Sequence, residues 1–167
     1  MANFLLPSYL NSKLMKLLLL VSLSASILFG CNTTKPVSSG DQVISVTHGT
    51  NFGHCRGYCR KEMVFTESQT EYIESSVDSE KNPAKVKSFK NTSAGWKSIT
   101  DKINWEKFNN LQESYGCPDC ADGGSEYIEI KTASGTKRVT IEFGEDLVEL
   151  EPLLTELRSQ RKKLIEQ

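Results

Sequence analysis

Residues 17–29 form an uncharged apolar run, LLLLVSLSASILF, near the start of the chain. Lys13 and Lys16 precede this run, and a small residue leads from it to Cys31. A basic start, an apolar centre and a small-residue exit are typical of a secretory signal peptide. The run is shorter than the roughly 20 residues that a transmembrane helix needs, so we expect residues 1–30 to be removed and to take no part in the fold.

The stretch LFGC at residues 28–31 resembles the lipobox of bacterial lipoproteins, in which a cysteine is acylated and becomes the new N-terminus. The resemblance implies cleavage after Gly30, a diacylglyceryl thioether on Cys31, and N-acylation with a fatty acid such as palmitate. Several acyl chains hold a protein durably on a membrane. Asn32 is not an aspartate, which by the sorting rule of proteobacterial lipoproteins favours the outer membrane. A plain secreted protein and a transmembrane anchor are the alternatives.

Met15 offers a second start for translation. The sequence that begins there, MKLLLLVSLSASILFGC, has by itself every part of such a signal. Either Met1 or Met15 is therefore expected to begin the precursor. A peptide that spans residues 1–14 in the uncleaved protein would favour Met1.

The chain has 20 basic and 21 acidic residues and is close to neutral. That balance predicts neither a nucleic-acid interface nor a strong attraction to anionic lipid. Residues 31–41 are polar and contain Pro and Gly, which predicts a flexible tether. Residues 42–167 are long enough for a single domain with its own core. The basic stretch RSQRKK at 158–163 lies in a mixed-charge tail and is interpreted as a solvated helix face.

Alternation of apolar and polar residues predicts six strands. They fall at residues 42–48, 61–67, 70–76, 84–90, 126–132 and 137–143. Ser68–Gln69 is expected to turn the first hairpin, and the ASG stretch at 133–135 to turn a second one.

The period changes between the fourth and fifth strands, where Trp96, Ile99 and Ile103 recur at helical spacing. Ser93 is expected to cap this helix, and Asn104 to cap a second short one. We interpret the two tryptophans, Trp96 and Trp105, as core residues.

A C-terminal helix is predicted from about Glu151, with one stripe at spacings of three and four: Leu147, Leu150, Leu154, Leu157, Arg161 and Leu164. The element order is therefore β-β-β-β-α-β-β-α. Short connections favour antiparallel neighbours. We predict an α+β fold, an antiparallel sheet with its helices packed on one face.

Four cysteines remain when Cys31 is acylated: Cys55 and Cys59 in CRGYC, and Cys117 and Cys120 in CPDC. An even number of cysteines in an exported chain is typical of disulfides. Pairing across the two motifs, over roughly 60 residues, would constrain the unfolded chain more than local pairing would. Proximity in the sequence favours local bonds. We predict Cys55–Cys59 and Cys117–Cys120, which a disulfide-linked peptide joining CRGYC to CPDC would contradict.

Two alternatives use the same four cysteines. Their paired spacings would suit a zinc site with four thiolates. The C-x-x-C motif would suit thiol–disulfide exchange, but CPDC follows a predicted helix and precedes a strand, so no helix N-terminus would lower the pKa of a thiol. We therefore predict no cofactor, with zinc on these four cysteines as the alternative.

No other group of residues has the spacing of a known site. The acidic turn around Asp119, Asp122 and Glu126 does not match a calcium-binding EF-hand loop. His48 and His54 could supplement a metal site or act as a base, but no serine or aspartate partners them at a recognisable spacing. The chain is therefore predicted to have no catalytic residues and not to be an enzyme.

The stretch CRGYCRKEMVF at residues 55–65 resembles a C-x-G-x-C motif of small, uncharacterised bacterial lipoproteins, which turns a first strand into a second. Cys55, Gly57 and Cys59 match that motif. CPDCADGGSEYIEI looks like a segment of lipoproteins of the Bacteroidota type. The resemblance implies a small exported domain and brings no activity with it. We expect a lipid-anchored, non-enzymatic binding or structural module of the cell envelope, with the membrane and a protein or glycan as partners.

Overall fold

The computed structural model describes residues 40–166. The strands are β1 (Val43–Asn51), β2 (Arg60–Phe65), β3 (Gln69–Ser75), β4 (Lys85–Lys90), β5 (Ser125–Thr132) and β6 (Thr136–Glu142). The helices are α1 (Ser93–Thr100), α2 (Trp105–Asn110) and α3 (Glu151–Ile165). A 3-10 turn, Cys120–Asp122, lies between α2 and β5.

The predictions for the N-terminus fall mostly outside the described residues. They are the signal peptide at 1–30, the acylated Cys31, and the tether at 31–41 apart from its last two positions. Among residues 40–166, no helix has both the length and the apolar composition to cross a membrane.

All six predicted strands are present, each within three residues of its predicted bounds. They form one antiparallel sheet in the order β4-β3-β2-β1-β5-β6. The first strand, β1, therefore lies inside the sheet between β2 and β5. Its register places Val46 opposite Phe65 of β2 and opposite Ile130 of β5. A bulge near the start of β1 leaves Ile44 exposed.

The predicted α+β layout, a sheet with its helices packed on one face, is wrong. The structure is mostly a six-stranded antiparallel sheet, accompanied by three helices of 8, 6 and 15 residues. An eight-residue helix is about 12 Å long, whereas six strands about 4.8 Å apart span roughly 24 Å. The helices α1 and α2 are therefore too short to form a layer. The predicted order also counted one helix where the structure has these two.

Buried apolar side chains from strands and helices form one cluster. The strands contribute Val46, Met63, Phe65, Tyr72, Ile128, Ile130, Val139 and Ile141, and the helices contribute Ile99, Phe108, Leu153, Leu154 and Leu157. Trp96 and Trp105, interpreted from the sequence as core residues, are partly buried and pack against this cluster.

The short helices begin at side-chain caps. Thr92, rather than the predicted Ser93, caps α1, and its hydroxyl accepts a hydrogen bond from the Gly95 N–H at 3.0 Å. Asn104 caps α2 as predicted, accepting from the Lys107 N–H at 3.0 Å. Each cap satisfies one of the N–H groups that a helix start leaves without an intrahelical partner.

Candidate functional site

The sheet face that carries the core becomes charged at one end. Alternate residues of a strand share a face, so Val46, His48 and Thr50 of β1 lie on the same side of the sheet. Thr50 is paired with Glu126 of β5 on one side and with Lys61 of β2 on the other. The apolar core thus gives way, within four residues of β1, to a buried polar end.

Glu126 is the centre of this polar end and is 2% exposed. Its Oε1 atom lies 2.5 Å from His48 Nε2 and accepts a hydrogen bond from Arg158 Nε at 3.0 Å. Its Oε2 atom accepts from Arg158 Nη2 at 2.6 Å. Two parallel bonds between a guanidinium and a carboxylate are a strong and specific arrangement. Arg158 Nη1 also donates to Asp146 at 2.6 Å, so these four residues form one ionic cluster, the Glu126 cluster.

The carboxylate of Glu126 is strongly stabilised in its ionised form. Burial acts to raise its pKa, but the hydrogen bonds from His48 and Arg158, together with nearby positive charge, lower the pKa to about 2. The hydrogen bond to Glu126 in turn raises the pKa of Arg158 above its usual value, with a contribution from Asp146. The pair is therefore charged at any physiological pH.

His48 is the neutral member of the cluster. Its side chain is 1% exposed, and burial lowers its pKa although the hydrogen bond to Glu126 acts in the opposite direction. With Nε2–H donating to Glu126, Nδ1 is the acceptor nitrogen of the ring. This Nδ1 atom has no hydrogen-bond partner among the described residues. A buried polar atom without a partner is uncommon in folded proteins.

A cavity of about 600 Å³ opens beside the cluster, between the end of the sheet, the loop after β1 and the last turns of α3; we name it the α3 pocket. Its apolar lining consists of Phe52, Tyr58, Phe143, Ile165 and the Cys55–Cys59 bond. Its charged lining consists of four cations, Lys61, Arg158, Arg161 and Lys162, and two acids, Glu126 and Glu166.

Contacts with neighbouring residues fix the positions of the aromatic side chains of the pocket. Phe52 directly follows β1, and its ring meets that of Phe143 edge to face, with centroids 4.9 Å apart. Gly124 has a φ of +82°, and a Cβ atom there would lie 2.3 Å from the Phe52 ring, so this position requires glycine. The Lys85 ammonium lies 3.9 Å from the centroid of the Tyr58 ring. The pocket therefore has an ordered aromatic wall.

Both pairs of cysteines are bonded locally. Cys55 is joined to Cys59, and Cys117 to Cys120, with Cα separations of 5.6 and 5.4 Å. This is the pairing that proximity in the sequence predicts. Disulfides persist mainly in oxidising spaces such as the periplasm and the extracellular medium, and the two bonds fit such a location.

The loop with the second disulfide supports the loop with the first. The Gly53 N–H donates to Asp119 Oδ1 at 3.0 Å, and the exposed side chains of His54 and Asp122 lie 2.5 Å apart. Asp119, Ala121 and Asp122 all have positive φ angles, which are uncommon for residues other than glycine. The CPDC loop thus adopts a specific shape that contacts the chain just before CRGYC.

The cysteines offer no thiolates in this arrangement, because all four sulfur atoms are used in the two bonds. Among residues 40–166, no group of three or more His, Cys, Asp or Glu side chains is placed to hold a metal ion. The CPDC loop follows α2 and leads through the 3-10 turn into β5, so it lies where the sequence places it.

Five polar residues form the floor of the α3 pocket: His48, Thr50, Glu126, Arg158 and Arg161. Their position together was not predicted from the sequence. The interpretation of RSQRKK as a solvated helix face is wrong for Arg158, which binds buried Glu126, and for Arg161, whose Nη2 donates to the Thr50 hydroxyl at 3.3 Å. A signal for Arg161 was present, since it lies in the leucine stripe of the predicted C-terminal helix. His48 likewise alternates in phase with apolar Val46.

A second depression, of about 720 Å³, lies beside β6 and differs in how its charges are used. Lys137 Nζ donates to the carbonyl oxygens of Asn109 and Leu111, at 2.6 and 2.8 Å, which holds the end of α2 against the sheet. Arg138 is paired with Glu129 at 2.9 Å. These cations serve the fold, whereas the α3 pocket has two cations, Arg161 and Lys162, that no carboxylate of residues 40–166 pairs.

No protein-family model matches the sequence, and a comparison with curated proteins finds no match. The α3 pocket, the Glu126 cluster and the two disulfides are therefore the features on which a function can be based.

Proposed function

We propose that the chain is an exported, lipid-anchored binding protein of the cell envelope, and that it catalyses no reaction. The lipobox-like LFGC stretch supports export and acylation of Cys31. The two disulfides fit an oxidising compartment. The observation that carries the binding role is the α3 pocket, whose volume of about 600 Å³ is in the range of small-molecule sites.

The chemistry of the Glu126 cluster supports binding rather than catalysis. A carboxylate with a pKa of about 2 is a poor proton acceptor near neutral pH, because an efficient general base has a pKa close to the working pH. The two cysteines of the pocket are bonded to each other, and the Thr50 hydroxyl accepts a hydrogen bond from Arg161. The Glu126 carboxylate, the two sulfur atoms and the Thr50 hydroxyl are thus already engaged, whereas His48 Nδ1 remains an acceptor without a partner among the described residues.

A screen of small acidic, neutral and basic molecules by ligand-observed NMR tests the pocket. Phe143 is 49% exposed, so Phe143→Ala should remove part of the pocket wall at little cost in stability. Val86 on β4 is 55% exposed, and Val86→Ala is the matched control. We expect hits whose signals weaken with Phe143→Ala and not with Val86→Ala. A screen without any Phe143-dependent hit would contradict the binding role.

Metabolic labelling with palmitate tests the anchor. The wild-type chain should be labelled and should fractionate with the outer membrane, whereas Cys31→Ser should be unlabelled. An unlabelled wild-type chain in the soluble fraction would leave a plain secreted protein as the better assignment.

A thiol count with metal analysis on the native exported protein separates this proposal from the zinc or thiol-redox alternative. We expect Cys55, Cys59, Cys117 and Cys120 to be unreactive without reductant, and no stoichiometric zinc. One zinc per chain, with four thiols titratable after chelation, would replace the binding proposal with a zinc protein.

A further inference from the structure

We propose that the α3 pocket binds a small organic carboxylate with an aromatic or aliphatic body. The carboxylate would bind Arg161 at the floor, and the body would lie against the rings of Phe52 and Phe143. This inference rests on the proposed binding role of the pocket and adds the chemical class of the ligand.

The cations of the pocket differ in whether an acid already neutralises them. Arg158 is bound by Glu126 and Asp146, at 2.6 Å each. Lys61 Nζ lies 3.9 Å from Glu74. Arg158 therefore keeps little positive charge for a ligand, whereas Lys61, whose side chain is 44% exposed, is only loosely paired.

Like the exposed Lys162, Arg161 lacks such a partner among the described residues. It is partly buried, and its contacts are with hydroxyl groups: it donates to Thr50 at 3.3 Å, and it also interacts with the Tyr72 phenol. Within residues 40–166, no carboxylate lies within 4.0 Å of the charged nitrogens of Arg161 or of Lys162. A guanidinium that is partly withdrawn from water and faces only neutral partners favours an anionic ligand.

A carboxylate fits this position better than a phosphate does. The planar guanidinium matches the two oxygens of a carboxylate in a fork-to-fork pair. One carboxylate would compensate the charge of Arg161, whereas a dianionic phosphate would bring a second negative charge near the buried carboxylate of Glu126. The predicted ligand is therefore a monoanion.

His48 gives a second indication of a ligand at the floor. It lines the same pocket, and its buried Nδ1 acceptor has no donor among the described residues. A hydroxyl or an N–H group beside the carboxylate of the ligand would supply that donor. Leaving such an atom unsatisfied costs free energy, which a bound ligand would recover.

The mouth of the pocket suits an apolar body. Phe143 and Ile165 are both 49% exposed, although both are large and apolar, and both line the pocket. A bound aromatic or aliphatic group would cover part of these side chains. Burial of apolar surface would then contribute to affinity in addition to the charge pair.

Three probes that share a biphenyl group and differ in their polar group test the class of the ligand: biphenyl-4-carboxylate, biphenyl-4-carboxamide and biphenyl-4-ylmethylamine. Each is titrated by calorimetry into the full chain carrying Cys31→Ser, which cannot be acylated at that position. We expect the carboxylate to bind about tenfold or more tightly than the amide, because a charge-assisted hydrogen bond is lost with the amide. The amine should bind most weakly.

Variants of α3 test whether Arg161 binds the carboxylate. Arg161→Gln should weaken binding of the carboxylate about tenfold or more, and Arg161→Lys, which keeps the charge, should retain part of the affinity. Lys163→Gln removes the same unit of charge from the exposed side of the same helix and should change affinity less than about twofold. A thermal unfolding curve for each variant shows whether the fold is retained.

Equal or tighter binding of the amide or the amine would overturn the carboxylate while leaving the pocket as a binding site. Unchanged affinity in Arg161→Gln would also overturn it. Failure of all three probes overturns this inference, and the binding role fails with it only when the small-molecule screen also finds no Phe143-dependent hit. If Arg161→Gln does not fold, the order of the affinities of the three probes for the unaltered pocket still tests whether the ligand is a carboxylate.

Discussion

The two ends of the core face are built by the same strands and differ in chemistry. At one end, Val46 is paired with Phe65 and Ile130, and all three are at most 1% exposed. At the other end, Thr50 is paired with Glu126, and both are at most 3% exposed. Burial is similar at the two ends, although one is apolar and the other contains a fully ionised pair.

The two ends therefore contribute to stability in different ways. Burial of the apolar end stabilises the fold through the hydrophobic effect, which needs no specific partner. At the charged end, removing two ions from water costs about as much as their attraction returns, so such a pair contributes little net stability. It does, however, fix the position of α3 over the sheet, and α3 carries Arg161. The charged end is therefore better understood as the support of the pocket.

Removal of one ion should have the largest effect. Glu126→Ala leaves buried His48 without its acceptor. It leaves Arg158, whose side chain is 32% exposed, with Asp146 and the Glu145 carbonyl oxygen, so the free energy of unfolding should fall by about 3 kcal/mol. The double variant Glu126→Leu/Arg158→Leu, with no unpaired charge, should recover most of that loss. Urea unfolding measures both. A double variant as unstable as Glu126→Ala would show that the pair is a true source of stability and would remove the contrast between the ends.

An effect of similar size is expected from acidification, which should lower the free energy of unfolding through the charged end and not through the apolar end. The pKa of Glu126 is about 2 when folded and 4.5 when unfolded, so its contribution is complete above pH 4.5 and is lost as the pH falls towards 2. By linkage this loss is about 3 kcal/mol. The lowered pKa of His48 acts in the same direction below about pH 6.5, because protonation favours the unfolded chain.

Urea midpoints between pH 2 and pH 7 measure this dependence. Glu126→Gln should flatten the part below pH 4.5, whereas a substitution at the apolar end should leave the profile parallel to that of the wild type. A wild-type profile that is flat from pH 4.5 to pH 2 would contradict the low pKa of Glu126.

Loss of either disulfide should have a smaller effect. Each bond closes a short loop, so Cys55→Ala/Cys59→Ala and Cys117→Ala/Cys120→Ala should each cost about 2 kcal/mol. Only the first bond lines the pocket, so the first double variant should also weaken binding of the carboxylate probe more than the second. Thermal unfolding with calorimetric titration checks both effects. The reverse order of affinities would show that the CPDC loop, through its contact with Gly53, controls the pocket.

The smallest effect is expected from a conservative change at the apolar end. Ile130→Val removes one methylene from a fully buried side chain and should cost about 1 kcal/mol. This cost should be the same at pH 4 and pH 7, as measured by urea unfolding, because Ile130 belongs to the apolar cluster and lies at the end of the face away from Glu126. A cost that varies with pH would mean that the two ends are coupled.

The strands could be predicted because their signal is local. In β5, alternation places Ile128 and Ile130 on one face, and the neighbours of each residue suffice to show it. The fold class was predicted wrongly because it depends on contacts between segments that are distant in the sequence. Which strands pair, and how much of the sheet α1 and α2 can cover, depends on helix length and on contacts between distant segments.

The site could be predicted only in part, for the same reason. The local disulfides follow from proximity in the sequence. His48, Glu126 and Arg161 each occupy a position in phase with apolar neighbours, and this phase indicates polar residues that are buried or, for Arg161, partly buried. What brings them together is the pairing of β1 with β5 and the placement of α3, and no spacing along the chain encodes either.

The interior position of β1 has a consequence for the order in which the chain can fold. β1 to β4 follow one another as a meander, so they can pair as soon as residue 90 has been made or exported. The other edge of β1 has no partner strand until β5 is present. Ser125 of β5 comes 74 residues after its partner Asn51. Pairing over such a separation is slow, and an open strand edge attracts other chains. Nascent chains are therefore most prone to aggregate during this interval, and the edge of β1 is where a chaperone would protect them.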